Sequence, residues 1–383
     1  MDIKKKPVLA QCPDYSPEHA AAAMEQVIEN TIGLNWVKPG MRIGLKLNLC
    51  TARKPEAAAT THPVLVSTLA RMLVERGADV VIGDSPGEPF TQTVLNFVYA
   101  QTGIKECEQT GAKLNMDFRH GEVSFPEGVS VKRFEYCTWL SECDAIINFS
   151  KLKAHGLMGM TAAVKNLYGV IPGTVKSEYH FMHRDPADFA NLLVDLNEYV
   201  RPVLCICDAV EIMEGNGPTQ GTARHLGLLL AGASSYELDR LCAQILDVRE
   251  SEIPYLMAAQ NRGLLAEEAD PAYARMAAPY RLKDFERSGA TGSWFLPDPR
   301  DKLGKKILKK ALYLVMRSRP EADKSCIACG HCVKGCPANA IEIRKGIAVI
   351  DRKKCVRCFC CQEFCPAGAM KVKRSLVAKI ASK

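Results

Sequence analysis

Two copies of one cysteine pattern near the carboxyl end constrain this chain more than any other feature of its 383 residues. Residues 324–345 read KSCIACGHCVKGCPANAIEIRK and residues 353–374 read KKCVRCFCCQEFCPAGAMKVKR, an internal repeat offset by 29 positions. Both copies carry C-x2-C-x2-C-x3-C-P in register. The chain has seventeen cysteines and no export signal, which argues against a disulfide scaffold because cytosolic thiols are kept reduced. The repeat therefore predicts metal ligands.

The repeat resembles the bacterial two-cluster ferredoxins. In that family three closely spaced thiolates hold one [4Fe-4S] cluster, and the fourth cysteine, followed by proline, reaches across to the other cluster. The resemblance implies two clusters, one held by Cys326, Cys329, Cys332 and Cys365 and the other by Cys355, Cys358, Cys361 and Cys336. Zinc is the alternative, although structural zinc sites usually use paired C-x2-4-C segments. Cys360 matches no position of the family pattern and is interpreted as a spare thiol.

Charge is distributed unevenly along the chain. Residues 1–300 hold 30 Lys and Arg against 37 Asp and Glu, whereas residues 301–383 hold 20 against 6. The basic part lacks the interleaved aromatic residues that stack bases, so we expect no nucleic acid and instead an acidic protein face or a membrane surface. Residues 302–319 predict a basic amphipathic helix that docks on the core or contacts a membrane surface. The chain shows no apolar run of about 18 residues and no export signal, which predicts a cytoplasmic protein.

Short apolar runs alternate with helical patterns over most of the chain. RIGLKLNL, DVVIGD and DAIINFS are continuous apolar runs, typical of parallel strands buried on both faces. HPVLVSTLARMLVERG and DPADFANLLVDLNEYV show helical periodicity. The pattern predicts an α/β fold, a mostly parallel sheet covered by helices, followed by a C-terminal α+β two-cluster ferredoxin domain. We expect the α/β domain over residues 1–290, a linker with the basic helix over 291–323 and the ferredoxin domain over 324–383.

Polar side chains gather where the predicted strands end. Lys46 and Asn48 follow the first of these strands, the GDSPG turn follows the second, and a Lys-Lys-His array follows the third. Ligands of open α/β sheets bind outside the carboxyl ends of the strands, so we expect these groups to face one crevice. We predict acid–base roles for His155, Lys165 and His183, and binding of an anionic substrate or cofactor by Lys151, Lys153, Asn166 and Asp84. The alternatives are ordinary hydrogen-bonded histidines, solvated lysines and, for Asp84, a turn former.

Five segments resemble, in the same order, the family catalogued as domain of unknown function 362, which is often fused to a ferredoxin module. They are GLKLNL, THPVLVSTLARMLVERGADVVIGDSPG, SKLKAHGLMGMTAAVKNLYGVIPG, DAVEIMEGNGPTQGT and HLGLLLAGASSYELD. The chemistry of this family is largely unassigned, so the resemblance implies domain limits more than a reaction. GNGPTQG differs from a dinucleotide fingerprint by an extra residue and an internal proline, which argues against NAD or FAD binding of that type.

A more distant resemblance is to the nickel-pincer lactate racemases. His155, Gly156, Gly159, Lys165 and the following VIPG share the layout of that catalytic domain. The glycine-rich run is degraded to GLMGMTAAVKN, and Val164 replaces the arginine that precedes the family's lysine. The resemblance implies a related fold and site, without the nickel cofactor.

The sequence supports three hypotheses for function. The first is an iron–sulfur oxidoreductase that receives electrons from a redox partner protein and passes them singly from two [4Fe-4S] clusters to a substrate or cofactor at the strand ends. The second is a non-catalytic, ferredoxin-like electron carrier or adaptor that docks a partner redox enzyme. The third is a metallocofactor-handling or isomerase-like domain.

Overall fold

The computed structural model describes residues 6–288, 303–304, 307, 318–363 and 365–373. Most of the predicted linker and basic helix, and with it the predicted membrane contact of residues 302–319, lies outside these described residues. Among the described helices, none combines the length and the apolar character needed to cross a bilayer.

Strands and helices are numbered here in chain order. The strands are β1 (Val8–Gln11), β2 (Arg42–Lys46), β3 (Asp79–Gly83), β4 (Lys113–Leu114), β5 (His120–Ser124), β6 (Arg133–Cys137), β7 (Ala145–His155), β8 (Gly159–Thr161), β9 (Leu204–Glu214), β10 (Thr222–Gly232), β11 (Arg319–Ala322), β12 (Ile341–Arg344), β13 (Ile347–Ile350) and β14 (Met370–Lys373). The helices are α1 (Pro17–Glu29), α2 (Pro63–Val74), α3 (Gln92–Gln101), α4 (Thr138–Ser141), α5 (Ala163–Asn166), α6 (Val175–Met182), α7 (Pro186–Val200), α8 (Ser235–Ile245), α9 (Pro254–Asn261), α10 (Pro271–Ala277), α11 (His331–Lys334) and α12 (Cys360–Glu363).

The central sheet has the strand order β1-β10-β9-β7-β2-β3-β4, with β8 paired to β7. Strands β9, β7, β2, β3 and β4 are parallel, whereas β10 and β8 run antiparallel to their neighbours. All eleven residues of β7 are buried, as a strand covered by helices on both faces requires. Successive residues Ile146 and Ile147 enter hydrophobic clusters on opposite faces. The predicted α/β fold with a mostly parallel sheet is confirmed.

The topology places a crevice at the carboxyl ends of β2 and β7. After β2 the chain moves outward to β3 and β4, and it returns on the other side of β2 with β7. Connections that leave in opposite directions make the β2–β7 boundary a switch point, where open α/β sheets bind ligands. β7 pairs with β2 only as far as Asn148, so its last residues extend past the end of β2. Lys153 and His155 are on this extension.

The C-terminal part is small and combines strands with short helices. Strand β11 pairs with β14 and β12 pairs with β13, both antiparallel, while α11 and α12 each form a single turn. This confirms the predicted α+β character of the ferredoxin domain.

The ferredoxin domain docks on the loop that contains GNGPTQG. Gln362 Nε2 donates to Asn216 Oδ1 at 2.9 Å, and Gln220 Nε2 donates to the carbonyl oxygens of Gln362 at 2.7 Å and Cys365 at 3.1 Å. Gly217 packs so closely on β7 that a Cβ there would lie 2.1 Å from the Ala154 carbonyl oxygen. The segment that differs from a dinucleotide fingerprint thus forms the docking loop between the two domains.

Replacing Gln220 with alanine should loosen this docking. Gln220→Ala removes two hydrogen bonds to carbonyl groups of the ferredoxin domain, worth roughly 1 to 3 kcal/mol together. We expect faster amide hydrogen exchange in α12 and unchanged exchange in β2 and β7. Gln101→Ala, on an exposed position of α3, is the matched control. Unchanged protection of α12 in Gln220→Ala would contradict the docking role.

Candidate functional site

The eight predicted cluster ligands surround two cavities in the ferredoxin domain. Cys326, Cys329, Cys332 and Cys365 line one cavity. Cys336, Cys355, Cys358 and Cys361 line the other. Each quartet takes its fourth cysteine from the other repeat, which is the crossed arrangement of two-cluster ferredoxins. All eight are free thiols, so the residues present fit a [4Fe-4S] group at each place.

A third cavity lies between the carboxyl edge of the sheet and α12. Its volume of about 70 Å³ accommodates a few water molecules or a small ion. Five of the predicted site residues line it, namely Asp84, Lys153, His155, Lys165 and Asn166. The ferredoxin domain supplies Cys360 and Glu363 to the same lining. The cavity, called the crevice cavity below, is therefore built from both domains.

The structure does not bring Lys151 to the crevice cavity. Lys151 is fully buried and donates to Asp208 Oδ2 and to the Tyr15 hydroxyl, both at 2.8 Å. Asp208 is its direct neighbour on β9, so the ammonium group of Lys151 is engaged in an ion pair between the two strands. The anion-binding role predicted for Lys151 therefore finds no support here.

His183 also lies away from the crevice cavity. It follows α6, and its Nδ1 lies 2.8 Å from Asp188 Oδ2 and 3.2 Å from Ser130 Oγ. These contacts fix the turn between α6 and α7, which accounts for the histidine without an acid–base role.

Within the described residues, no group of three or more His, Cys, Asp or Glu side chains is arranged to hold a single metal ion.

Asp84, which lines the crevice cavity, forms a buried ion pair with Lys46. Lys46 Nζ lies 2.7 Å from Asp84 Oδ1, with both side chains almost completely buried. Asp84 also accepts the backbone N–H groups of Leu49 and Ser85, so both its oxygens are engaged. At Gly169 a Cβ would lie 2.3 Å from Asp84 Oδ1, which is why the chain has no side chain there. Asp84 therefore holds Lys46 and two backbone N–H groups in place at the site.

Lys153, another lining residue, is held by three hydrogen bonds. Its Nζ donates to Asn48 Oδ1 at 2.8 Å, to the Ala59 carbonyl at 2.7 Å and to Cys50 Sγ at 3.3 Å. These three bonds use all its protons. Lys153 therefore contributes a fixed positive charge to the cavity but no free donor.

Lys165 is the lysine of the cavity lining that makes no hydrogen bond to the described residues. Its Nζ lies 4.3 Å from the centre of the Tyr168 ring and 5.7 Å from that of Phe189. Among the described residues no acceptor lies within hydrogen-bonding distance of this ammonium group. Burial lowers the pKa of Lys165, although the charge of Glu363 opposes the change. A buried ammonium group with free protons suits both anion binding and proton donation.

His155 is held in one tautomer. Its Nδ1 accepts the backbone N–H groups of Leu157 at 3.0 Å and Met158 at 3.2 Å, so the ring proton belongs on Nε2. Burial, the largest effect, lowers the pKa of His155, which favours the neutral ring. His155 can therefore donate a hydrogen bond through Nε2. The predicted acid–base role narrows to hydrogen bonding, because a neutral imidazole is a very weak acid.

Glu363 enters the crevice cavity from α12. Its Oε1 lies 3.5 Å from His155 Nε2. Burial alone would raise the pKa of this carboxyl group, but His155 and the positive charge of Lys165 outweigh burial and hold the pKa at about 2. An ionised carboxylate of one domain thus sits among the cationic groups of the other.

Several lining residues were missed at the level of sequence, chiefly Glu363, Lys176 and Tyr168. Lys176 donates to Ser85 Oγ at 3.1 Å and to the Pro86 carbonyl at 3.2 Å, and burial lowers its pKa to about 8. Lys176 follows the VIPG segment by three residues, and no sequence pattern at that position indicated a site residue. Glu363 carried no signal either, because nothing in CCQEFCP indicates that this segment packs on a distant loop.

Comparisons with known proteins add a family and a cofactor. Residues 43–244 match the family model described as "domain of unknown function (DUF362)", and residues 325–369 match the model described as "4Fe-4S dicluster domain". A protein of Synechocystis sp. named "thylakoid-associated protein" is 30% identical over 292 residues, which cover 76% of this chain and 87% of that protein. The resemblances to the domain of unknown function 362 family and to the ferredoxins are confirmed, and the second match shows 4Fe-4S binding.

Two solved structures also align with the chain. The lactate racemase apoprotein from Thermoanaerobacterium thermosaccharolyticum has a TM-score of 0.39 and 13% identity, with 65% of this chain and 59% of that chain covered. A structural-genomics crystal structure from Thermotoga maritima has a TM-score of 0.38 and 14% identity, with 61% and 59% covered. The chain therefore spans less than two thirds of the length of each.

Adjacent cysteines of α12 should differ in their effect on iron content. Cys361 belongs to a predicted quartet, whereas Cys360 matches no position of the pattern. We expect Cys361→Ala to lower the iron and sulfide bound per chain and to change the electron paramagnetic resonance spectrum of the reduced protein. Cys360→Ala, the matched control, should keep the iron content of the unmodified chain. Iron loss in Cys360→Ala, or none in Cys361→Ala, would contradict the assignment.

His180 should make the protein sensitive to acid. This histidine is buried, its ring stacks on Phe189, and burial lowers its pKa to about 3. Between this value and the ordinary pKa of about 6.5, the unfolded chain binds a proton that the folded chain does not, so stability is full above that range and falls on acidification. The loss from this group is about 2 kcal/mol between pH 7 and pH 5.

His180→Phe keeps an aromatic ring at this position and removes the titratable group. We expect the thermal midpoint to fall less in this variant than in the unmodified chain over the same pH range. Gln101→Phe, at an exposed position without a titratable group, should leave the pH dependence unchanged. Parallel pH profiles for His180→Phe and the unmodified chain would refute the role of His180.

Proposed function

The chain belongs to the domain of unknown function 362 family, and we propose that it is an iron–sulfur oxidoreductase that passes single electrons to a small anionic substrate or cofactor in the crevice cavity. Binding of 4Fe-4S is shown by the ferredoxin match. The proposal adds that there are two clusters. Their ligands are the two cysteine quartets that line the cavities of the ferredoxin domain. When bound, the clusters supply one-electron carriers whose potentials depend on hydrogen bonding and solvent access.

The observation that carries the proposal is the position of Cys360. This residue lines both the cavity of the second quartet and the crevice cavity. The two cavities therefore adjoin at Cys360. This proximity supports electron transfer from the second quartet to a group bound in the crevice cavity.

The residues of the α/β domain have separate tasks in this proposal. Lys165 holds the anion with its free ammonium protons, and Lys153 adds a fixed positive charge. His155 orients the bound group by donating from Nε2. Each electron that arrives adds negative charge to the cavity, and Lys165 Nζ, whose pKa is lowered by burial, can release a proton that neutralises it.

We propose that a redox partner protein supplies the electrons at the first quartet. Cys329 is exposed there and Ile327 is 65% exposed, so this side of the ferredoxin domain is open to contact. The basic excess of residues 301–383 favours an acidic face on the partner. The cytoplasmic location stays a prediction. The name of the Synechocystis relative favours contact with a membrane surface, with the basic segment 302–319 as the proposed contact.

Lys165→Met should separate this function from that of an electron carrier. The chain is reconstituted with iron and sulfide and reduced without oxygen, and re-oxidation is followed by visible absorbance after addition of a mixture of small organic acids. We expect re-oxidation by the active acid to slow by roughly a hundredfold in Lys165→Met, because the anion-holding proton donor is lost.

Lys38→Met, at an exposed lysine of the α/β domain, is the matched control and should re-oxidise at the original rate. Equal rates in all three proteins would overturn the oxidoreductase proposal and leave the ferredoxin-like carrier as the remaining hypothesis.

A further inference from the structure

We propose that His155, Thr161 and Lys165 form a carboxylate subsite in the crevice cavity, which the Glu363 side chain fills in this structure and which a small monocarboxylate substrate takes over on binding. This inference names the substrate class of the proposed oxidoreductase and rests on that function. The subsite itself is a statement about binding, and it can be tested without electron transfer.

The first observation is that a carboxylate already occupies the cavity. Glu363 lies on α12, and the docking contacts of that helix position its side chain: Gln362 is bonded to the docking loop, and Thr219 Oγ1 donates to the Glu363 carbonyl at 3.4 Å. The carboxylate reaches 3.5 Å from His155 Nε2, and its side chain is 20% exposed. A side chain of one domain therefore fills an anion-binding position of the other.

The second observation is a set of buried polar atoms that Glu363 leaves unsatisfied. His155 Nε2 and Thr161 Oγ1 both line the cavity, and among the described residues neither has a hydrogen-bond partner. Both residues are 3% exposed. A buried donor without a partner costs roughly 1 to 3 kcal/mol, and a bound ligand that accepts from it would remove this cost. The contact of 3.5 Å between His155 and Glu363 is too long for a good hydrogen bond, and a freely diffusing carboxylate can approach more closely.

The charge of the lining favours an anion of this kind. Lys46 and Asp84 neutralise each other. Three lysines line the cavity, namely Lys153, Lys165 and Lys176. Against them stands only one more carboxylate of the lining, Glu363. The lining thus stays cationic with Glu363 in place, and it becomes more so when Glu363 leaves.

The size and shape of the cavity limit the rest of the substrate. A volume of about 70 Å³ with Glu363 seated leaves room for a short chain only. The Tyr168 ring, Pro218 and Cys360 supply the apolar part of the lining. A short aliphatic acid would therefore lie with its chain against these three residues, next to the wall shared with the second cysteine quartet.

The test removes the internal carboxylate and asks whether a free one replaces it. The full chain is reconstituted with iron and sulfide, and binding of acetate is measured by calorimetry without oxygen. Glu363→Ala should bind acetate about tenfold or more tightly than the unmodified chain, which corresponds to about 1.4 kcal/mol. Adding Lys165→Met to Glu363→Ala should remove the gain. Glu363→Gln, which removes the charge but still fills the position, should gain less than Glu363→Ala.

Two further probes test the chemical class. Acetamide has the shape of acetate without its charge, and inorganic phosphate has the charge without the shape. We expect neither to bind Glu363→Ala as tightly as acetate does. Equal binding of either probe, or no gain in acetate binding, overturns the carboxylate subsite. If Glu363→Ala loses iron, Glu363→Ser at the same position serves with the same expected outcomes.

The outcomes distinguish this inference from the function on which it rests. Acetate binding that depends on Lys165, together with re-oxidation that does not, would keep the subsite and overturn the oxidoreductase. Re-oxidation that depends on Lys165, without acetate binding by Glu363→Ala, would keep the oxidoreductase and overturn the subsite.

Discussion

The buried ion pair between Lys46 and Asp84 is the interaction on which the site depends. Taking two charges out of water costs several kcal/mol per ion, so such a pair persists only where further hydrogen bonds satisfy both partners. Here Lys46 Nζ also donates to the carbonyl oxygens of Leu47 and Asn166, while Asp84 accepts two backbone N–H groups. The pair thereby ties the ends of β2 and β3 to α5, the helix that carries Lys165. Lys46 thus helps to position the helix that carries Lys165, the proposed proton donor.

The sequence predicted the parts whose local pattern has a direct physical cause. Thiolates that hold a cluster recur at fixed spacing, so the repeat could be compared with the two-cluster ferredoxins, and that resemblance implied the two cysteine quartets. Strands buried on both faces must be continuously apolar, so the parallel sheet followed, and the strand-end rule then placed Asp84, Lys153 and His155 at one edge. Lys165 and Asn166 were found because they stand among apolar residues near that edge.

The rest could not be predicted because it depends on contacts between distant segments. Lys151 has the same local surroundings as Lys153, but it faces Asp208 on the neighbouring strand, and no local pattern reveals that pairing. His183 is explained by Asp188 and Ser130 in the same way. Glu363 reaches the α/β domain only through docking of the ferredoxin domain, and the order of the two domains along the chain gives no information about their contact. The crevice cavity is thus a property of the docked pair rather than of either domain.

Gly217 illustrates what this dependence means for tolerance to sequence change. The Cβ of any other residue would collide with the Ala154 carbonyl oxygen and push the docking loop away from β7. The displacement would carry Asn216 and Gln220 with it, and through them α12 with Cys360 and Glu363. In a survey of functional variants this position would therefore be as restricted as a ligand cysteine, although Gly217 has no side chain to offer to chemistry. A glycine at such a junction preserves the fit between two domains.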